Sequence, residues 1–134
     1  MTEQEKNTLF IEIEKLIHAY CNKTEENEDP YHRGDIWLVR KTGAEEDLKE
    51  YRPAVIVSND KGNRYSSYVT IVPLTTQTKP PLPTHAAVQS KMPSTALCES
   101  VRTVRKELLL SRTGRCSDEE IENINSALRC ALGL

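Results

Sequence analysis

Between Thr8 and Tyr20 the apolar residues Leu9, Phe10, Ile13, Leu16, Ile17 and Tyr20 recur every three or four positions, which predicts an amphipathic helix. Thr2-x-x-Glu5, just ahead of it, has the spacing of a helix-starting cap. Residues 22–30 (NKTEENEDP) then lose all apolar character and end on proline, so they read as an acidic linker. A separate body is expected to begin at Tyr31, leaving residues 1–30 as an N-terminal helix plus linker and residues 31–134 as the main domain.

Beyond Tyr31 the pattern shortens to β-rich runs: Ile36–Val39, Ala54–Val57, Tyr68–Leu74, His85–Val88, Ala96–Cys98, Val101–Val104 and Leu108–Leu110. Turn chemistry separates them. Asp60-Lys61-Gly62-Asn63 is expected to form a tight turn, and Lys79-Pro80-Pro81-Leu82-Pro83 a stiff loop that no central strand can accommodate. So many short strands in so short a stretch point to a small barrel. Ser117 followed by Asp118, Glu119 and Glu120 then forms a capping box, with acids at the positive end of a helix dipole. Ile121, Ile124, Leu128 and Leu132 supply the apolar stripe of that C-terminal helix, which packs on or beside the barrel.

The chain has 134 residues, enough for one domain with its own core, and its 37% hydrophobic content lies well above the disordered regime. No stretch approaches a membrane span, and the acidic N-terminal thirty residues do not look like a signal peptide, so a soluble, cytoplasmic protein with no membrane partner is expected. Cys21, Cys98, Cys116 and Cys130 are scattered and expected to be reduced, with Cys98 a small buried hydrophobe. Neither they nor His18, His32 and His85 have metal-ligand spacing. No metal and no cofactor are expected.

Charge changes this picture. The net value of −2 hides a segregation: residues 1–51 carry −6, residues 52–115 carry +7 and residues 116–134 carry −3. A basic middle between acidic ends suits a phosphate-binding surface, and a solvated face with cations on strand edges gives the same count. Glycine-rich phosphate loops and a nucleophile elbow are both missing, which disfavours nucleotide hydrolysis and triad chemistry. Cationic and hydroxyl residues at strand ends remain: Arg52 before Pro53, Thr75 and Thr76 after an apolar strand, Lys61 and Arg64 at the turn, and Arg102 and Arg105. A guanidinium fork and a threonine hydroxyl together can stabilise a pentacovalent phosphorane without metal. A surface ion pair of Arg52 with Glu50 or Asp47, and a routine strand-end hydroxyl at Thr75, are the plainer readings.

Six motifs in order carry a family resemblance: Arg33-Gly34-Asp35-Ile36-Trp37; Tyr51-Arg52-Pro53-Ala54-Val55-Ile56-Val57-Ser58-Asn59-Asp60 with Gly62-Asn63-Arg64; Val72-Pro73-Leu74-Thr75-Thr76-Gln77; Leu82-Pro83-Thr84-His85; Val101-Arg102-Thr103-Val104; and the terminal Ala131-Leu132-Gly133-Leu134. Over residues 33–134 the chain resembles the MazF/PemK family of toxin endoribonucleases. That resemblance implies a mainly β fold with helices, an SH3-like small barrel of the MazF/PemK/CcdB type with a C-terminal helix. The N-terminal helix is an addition to it. The resemblance further implies the toxin of a type II toxin-antitoxin system, a homodimer neutralised by a cognate antitoxin. Such an enzyme cuts single-stranded RNA or mRNA at short sequences without metal, leaving 2′,3′-cyclic phosphate and 5′-hydroxyl ends.

On the same resemblance Arg52 is the catalytic arginine and Thr75 the catalytic threonine. Arginine stays protonated, so Arg52 is assigned to charge stabilisation and Thr75 to donating a hydrogen bond to a phosphate oxygen. Lys61, Arg64 and Lys79 are expected phosphate contacts and Gln77 a base reader, because its amide both donates and accepts. Where the family commonly has a glutamate five residues ahead of the arginine and a flexible glycine-containing loop, this chain has Asp47 and Glu45-Glu46-Asp47-Leu48-Lys49-Glu50-Tyr51. Asp47 therefore borders the RNA path in a more acidic loop. Two alternatives belong to another class: a gyrase-poisoning module on the same scaffold, or a decayed toxin kept as a protein-interaction unit.

Overall fold

The computed structural model describes residues 2–8, 12–13, 30–41 and 50–134. It divides into two compact units, Met1–Pro30 and Tyr31–Leu134. In the first, residues 3–8 and 12–13 are helical, and Thr2 Oγ1 accepts the Glu5 N–H at 3.2 Å, as the cap spacing requires. The rest of the predicted Thr8–Tyr20 helix and the linker up to residue 29 lie outside the described residues, as do His18 and Cys21.

The second unit is built from β1 (Asp35–Arg40), β2 (Tyr51–Ile56), α1 (Asp60–Tyr65), β3 (Tyr68–Thr75), β4 (His85–Gln89), β5 (Pro93–Leu97), β6 (Arg102–Arg105), β7 (Leu109–Arg115) and α2 (Asp118–Leu132). Two 3₁₀ turns, Cys98–Ser100 and Lys106–Leu108, bracket β6. The strands form one antiparallel sheet in the order β4-β5-β3-β2-β1-β7, and β6 pairs with the first half of β3. The mainly β fold with a C-terminal helix that the strand pattern and the resemblance imply is present, as a half-barrel sheet. Among the described residues no helix is long and apolar enough to cross a membrane.

Strand alternation sends apolar residues to both faces of the sheet. In register across β1, β2 and β3, Ile36, Val55 and Val72 share one face and join a core with Leu74, Val88, Ala96 and Cys98. Helix α2 closes that core through Ile124 and Ala127. Trp37, Ala54, Ile56, Val69, Ile71 and Leu109 form a second core on the opposite face, with the Tyr31 ring tilted against Trp37 at 5.0 Å between centroids.

Ser117 and Glu120 make the full reciprocal cap of α2, and Gly133, in the left-handed region at φ 70°, ends it. Glu120 also accepts the Gln89 N–H, tying the helix start to the end of β4. Burial pushes the Glu120 carboxyl up, and the N–H groups of Ser117 and Gln89 with the Ser117 hydroxyl outweigh it, holding the group below its ordinary range. Cys98, Cys116 and Cys130 are free thiols; burial pushes Cys98 and Cys116 up to about 11, the behaviour of inert core cysteines.

Four local expectations are corrected. Asp60–Asn63 is the start of helix α1 rather than a tight turn, because Asn59 caps it by accepting the Gly62 N–H and Asn63 is buried against Ser58. Leu132 is exposed: the stripe on α2 buries Ile124 and half-buries Ile121 and Leu128, and in the last turn Ala131, not Leu132, packs against the core. The Leu108–Leu110 run shifts to a longer strand, Leu109–Arg115, whose polar second half is held by pairing with β1. Ala96–Cys98 shifts back to Pro93–Leu97, with proline at the first strand position, where no donor is needed.

A cationic groove as the candidate nucleic-acid interface

Strands β2 and β3 pair at Ile56–Ile71, Val55–Val72 and Ala54–Pro73. Neither Pro53 nor Pro73 has an N–H to give to a ladder, and pairing between these strands stops at Ala54–Pro73. On the edge of β3 away from β2, β5 pairs Leu74 with Ala96 and Thr75 with Thr95. Carried two residues past its last pair, the β2–β3 register would set Arg52 of β2 opposite Thr75 of β3. Alternation puts both side chains on the face of Ala54 and Pro73.

A groove of about 270 Å³ opens on that face. Its floor is apolar, formed by Val39, Ala54, Ile71, Pro73 and Val104. Arg40, Lys41, Arg52 and Arg102 supply its charge. Among the described residues Arg40 and Arg102 make no ion pair. Arg52, with its side chain 63% exposed, lies 4.0 Å from Glu50, and Lys41 lies 3.6 Å from the same carboxylate. The plainer Arg52–Glu50 contact is thus present, at the outer limit of an ion pair. Thr75 Oγ1 accepts the Gln77 N–H at 3.2 Å, which orients the hydroxyl and leaves its proton available to a phosphate oxygen.

The other predicted site residues are dispersed. Gln77 is exposed, two residues past Thr75. Lys79 opens the proline loop and lines a separate hollow with Pro80, Leu82 and His85. There His85 Nδ1 approaches the Pro80 carbonyl at 2.8 Å and Nε2 the Glu99 carboxylate at 2.9 Å. Lys61 and Arg64 sit on α1, which joins β2 to β3 at the opposite end of these strands from Arg52 and Thr75. At ~3.3 Å per residue, Arg52 to Ile56 alone is about 13 Å. Asp47 lies outside the described residues. Arg40, Lys41 and Ser100 were not singled out by sequence. The signal for Arg40 and Lys41 was the register, since Arg40 pairs with Tyr51, and Lys41 donates its N–H to the Glu50 carbonyl at 2.8 Å; Ser100, in a 3₁₀ turn, had none. Among the described residues no three His, Cys, Asp or Glu side chains are grouped so as to hold a metal ion.

An apolar-floored groove with a cationic rim that includes Arg52 can hold phosphate groups beside an apolar surface; Thr75 is not among its lining residues. Residues 32–132 match the family model for the "PemK-like, MazF-like toxin of type II toxin-antitoxin system", and the chain belongs to that family of endoribonucleases. It is 32% identical over 109 residues to the endoribonuclease MazF of Staphylococcus saprophyticus subsp. saprophyticus, covering 76% of this chain and 91% of that one. A mycobacterial endoribonuclease solved in complex with its cognate antitoxin superposes with TM-score 0.68 at 28% identity, over 78% of this chain and 96% of that one. A second mycobacterial endoribonuclease structure gives TM-score 0.66 at 30% identity, over 78% and 92% of the two chains.

Proposed function

We propose that this toxin cleaves single-stranded RNA, including mRNA, at the cationic groove that Arg52 lines, with Thr75 two residues past its Pro73. The gathering of Arg40, Lys41, Arg52 and Arg102 around that groove is the observation that carries the reading. The ribose 2′-oxygen bonds to the adjacent phosphorus and the bond to the 5′-oxygen breaks, leaving a 2′,3′-cyclic phosphate and a 5′-hydroxyl. The 2′ proton passes to an acceptor and a proton reaches the departing 5′-oxygen. Arg52 stabilises the charge that builds on the non-bridging oxygens, and Thr75 donates its hydroxyl proton to one of them. Both contacts strengthen as the phosphorane forms, which is where a stabilising group lowers the barrier.

Arg40, Lys41 and Arg102 hold neighbouring phosphates, and Gln77 reads a base beside Thr75. Asp47, outside the described residues, is assigned as an RNA contact on the resemblance alone. Lys79 meets the strand leaving past Gln77, whereas Lys61 and Arg64 engage RNA long enough to run the length of β2. The chain acts as a homodimer in the cytoplasm, where mRNA is available, and a cognate antitoxin neutralises it. Support for that partner comes from the mycobacterial relative solved with its antitoxin.

The test is incubation of the full chain with mixed-sequence RNA in EDTA, followed by analysis of fragment termini. Discrete cuts with cyclic-phosphate and 5′-hydroxyl ends are expected; no cuts by folded protein would favour the gyrase-poison or decayed-toxin reading.

A further inference from the structure

Glu50 is the one carboxylate among the described residues that contacts the groove's cations. Its backbone is fixed, because the Lys41 N–H donates to the Glu50 carbonyl at 2.8 Å and extends the β1–β2 register by one pair. Its side chain is held loosely. The carboxylate lies 3.6 Å from Lys41 Nζ and 4.0 Å from Arg52 Nη2, both beyond hydrogen-bond distance, and is about half exposed at 48%. A carboxylate so placed occupies the position between two cations that a bridging phosphate would take. The long, solvated contacts make it easy to displace.

We propose that Glu50 is a built-in counter-anion: it partly neutralises Arg52 and Lys41 in the free protein and yields them to the RNA backbone on binding. It therefore sets substrate affinity without taking part in the bond-making step. The inference rests on the RNA-cleaving reading of the groove. Its physical signature is in the salt dependence. A cation neutralised by mobile ions releases them when phosphate binds, steepening the fall of affinity with salt by ~0.7 per phosphate on a single strand. A cation already paired with Glu50 exchanges one fixed anion for another and contributes less to that slope.

The experiment compares wild type with Glu50→Gln, which keeps shape and removes charge. Binding is measured to a mixed-sequence pool of 2′-fluoro RNA, which lacks the attacking hydroxyl, between about 50 and 200 mM salt, and the logarithm of affinity is plotted against that of salt concentration. Cleavage of ordinary RNA is measured alongside, and thermal unfolding confirms that both proteins fold. The expected result is binding tightened about two- to fivefold at low salt, with a slope steeper by about 0.7 to 1.4, corresponding to one or two phosphates. Unchanged affinity and slope, or weaker binding, would overturn the proposal while cleavage by wild type left the RNA reading intact. A hundredfold loss of cleavage rate with unchanged binding would also overturn it, making Glu50 a proton acceptor. If folded wild type neither binds nor cuts RNA, the RNA reading fails and this inference with it.

Discussion

Ala54 and Pro73 form the last pair between β2 and β3, and Arg52 and Thr75 stand two positions beyond it on the two strands. Three register pairs hold these strands below this point. In the proposed mechanism a phosphate bound there takes a guanidinium from one strand and a hydroxyl from the other. Arg52→Lys keeps the charge but loses the planar fork, so it should bind RNA within a few-fold of wild type while cleaving ~10²-fold more slowly. Separate measurement of binding to 2′-fluoro RNA and of single-turnover cleavage checks this.

Arg102 reaches the same face from β6, where it pairs with Ile71, and makes no ion pair among the described residues. Arg102→Gln should weaken binding across all RNA sequences alike and reduce the salt slope by about 0.7, the signature of one lost phosphate contact. A change in cleavage sequence with an unchanged slope would assign Arg102 to base reading instead.

His85 donates to two acceptors, the Pro80 carbonyl and the Glu99 carboxylate, and only the imidazolium can do both. The hydrogen bond to Glu99, with that to Pro80, raises the His85 pKa from 6.5. Burial pushes the Glu99 carboxyl up from 4.5, and hydrogen bonds from its own N–H, His85 and Thr84 outweigh it, leaving the group lowered. The His85 contribution to stability is complete below 6.5 and is lost as pH rises through its folded value; that of Glu99 is complete above 4.5 and is lost as pH falls through its own. The clamp on the proline loop is thus strongest between these values. Titration of the His85 ring by NMR should give a value above 6.5 that falls back in Glu99→Gln.

Gly34 joins the start of β1 to the body of the fold. It lies in the left-handed region at φ 91°, donates to the Ile56 carbonyl and accepts from the Cys116 N–H, and a Cβ added there would stand only 2.8 Å from Ile121 Cδ1. Gly34→Ala therefore adds backbone strain to a clash with the helix that closes the core, and should cost about 1–3 kcal/mol in denaturant unfolding. Gly133→Ala, at φ 70° with open space around it, tests the strain alone and should cost less.

Much of this was legible in the chain. β-rich runs located a part of every strand, and Ser117 with Glu120 announced α2, because both signals are local. Where tertiary contact decides, the reading shifted. Asn63 looked like a turn residue until Ser58 buried it, and the polar half of β7 is a strand only because β1 lies beside it. The site divides in the same way. Arg52 and Thr75 stood out through their motifs, but their place just past the end of the β2–β3 pairing depends on a register that no single motif contains. Lys61 and Arg64 share the basic middle of the sequence with Arg52, yet the length of β2 separates them from it. Arg40 and Lys41 gained meaning only once β1 was laid against β2.

In the proposed mechanism Arg52 and Thr75 act on one phosphate in one step. The most direct test is a double-mutant cycle on single-turnover cleavage in EDTA, with Arg52→Ala, Thr75→Val and the double variant, each shown to be folded. Two groups serving one transition state are strongly non-additive, so Arg52→Ala should lose ~10²–10³-fold and the double variant little more. Losses that simply multiply, or cleavage that survives Arg52→Ala, would contradict the account.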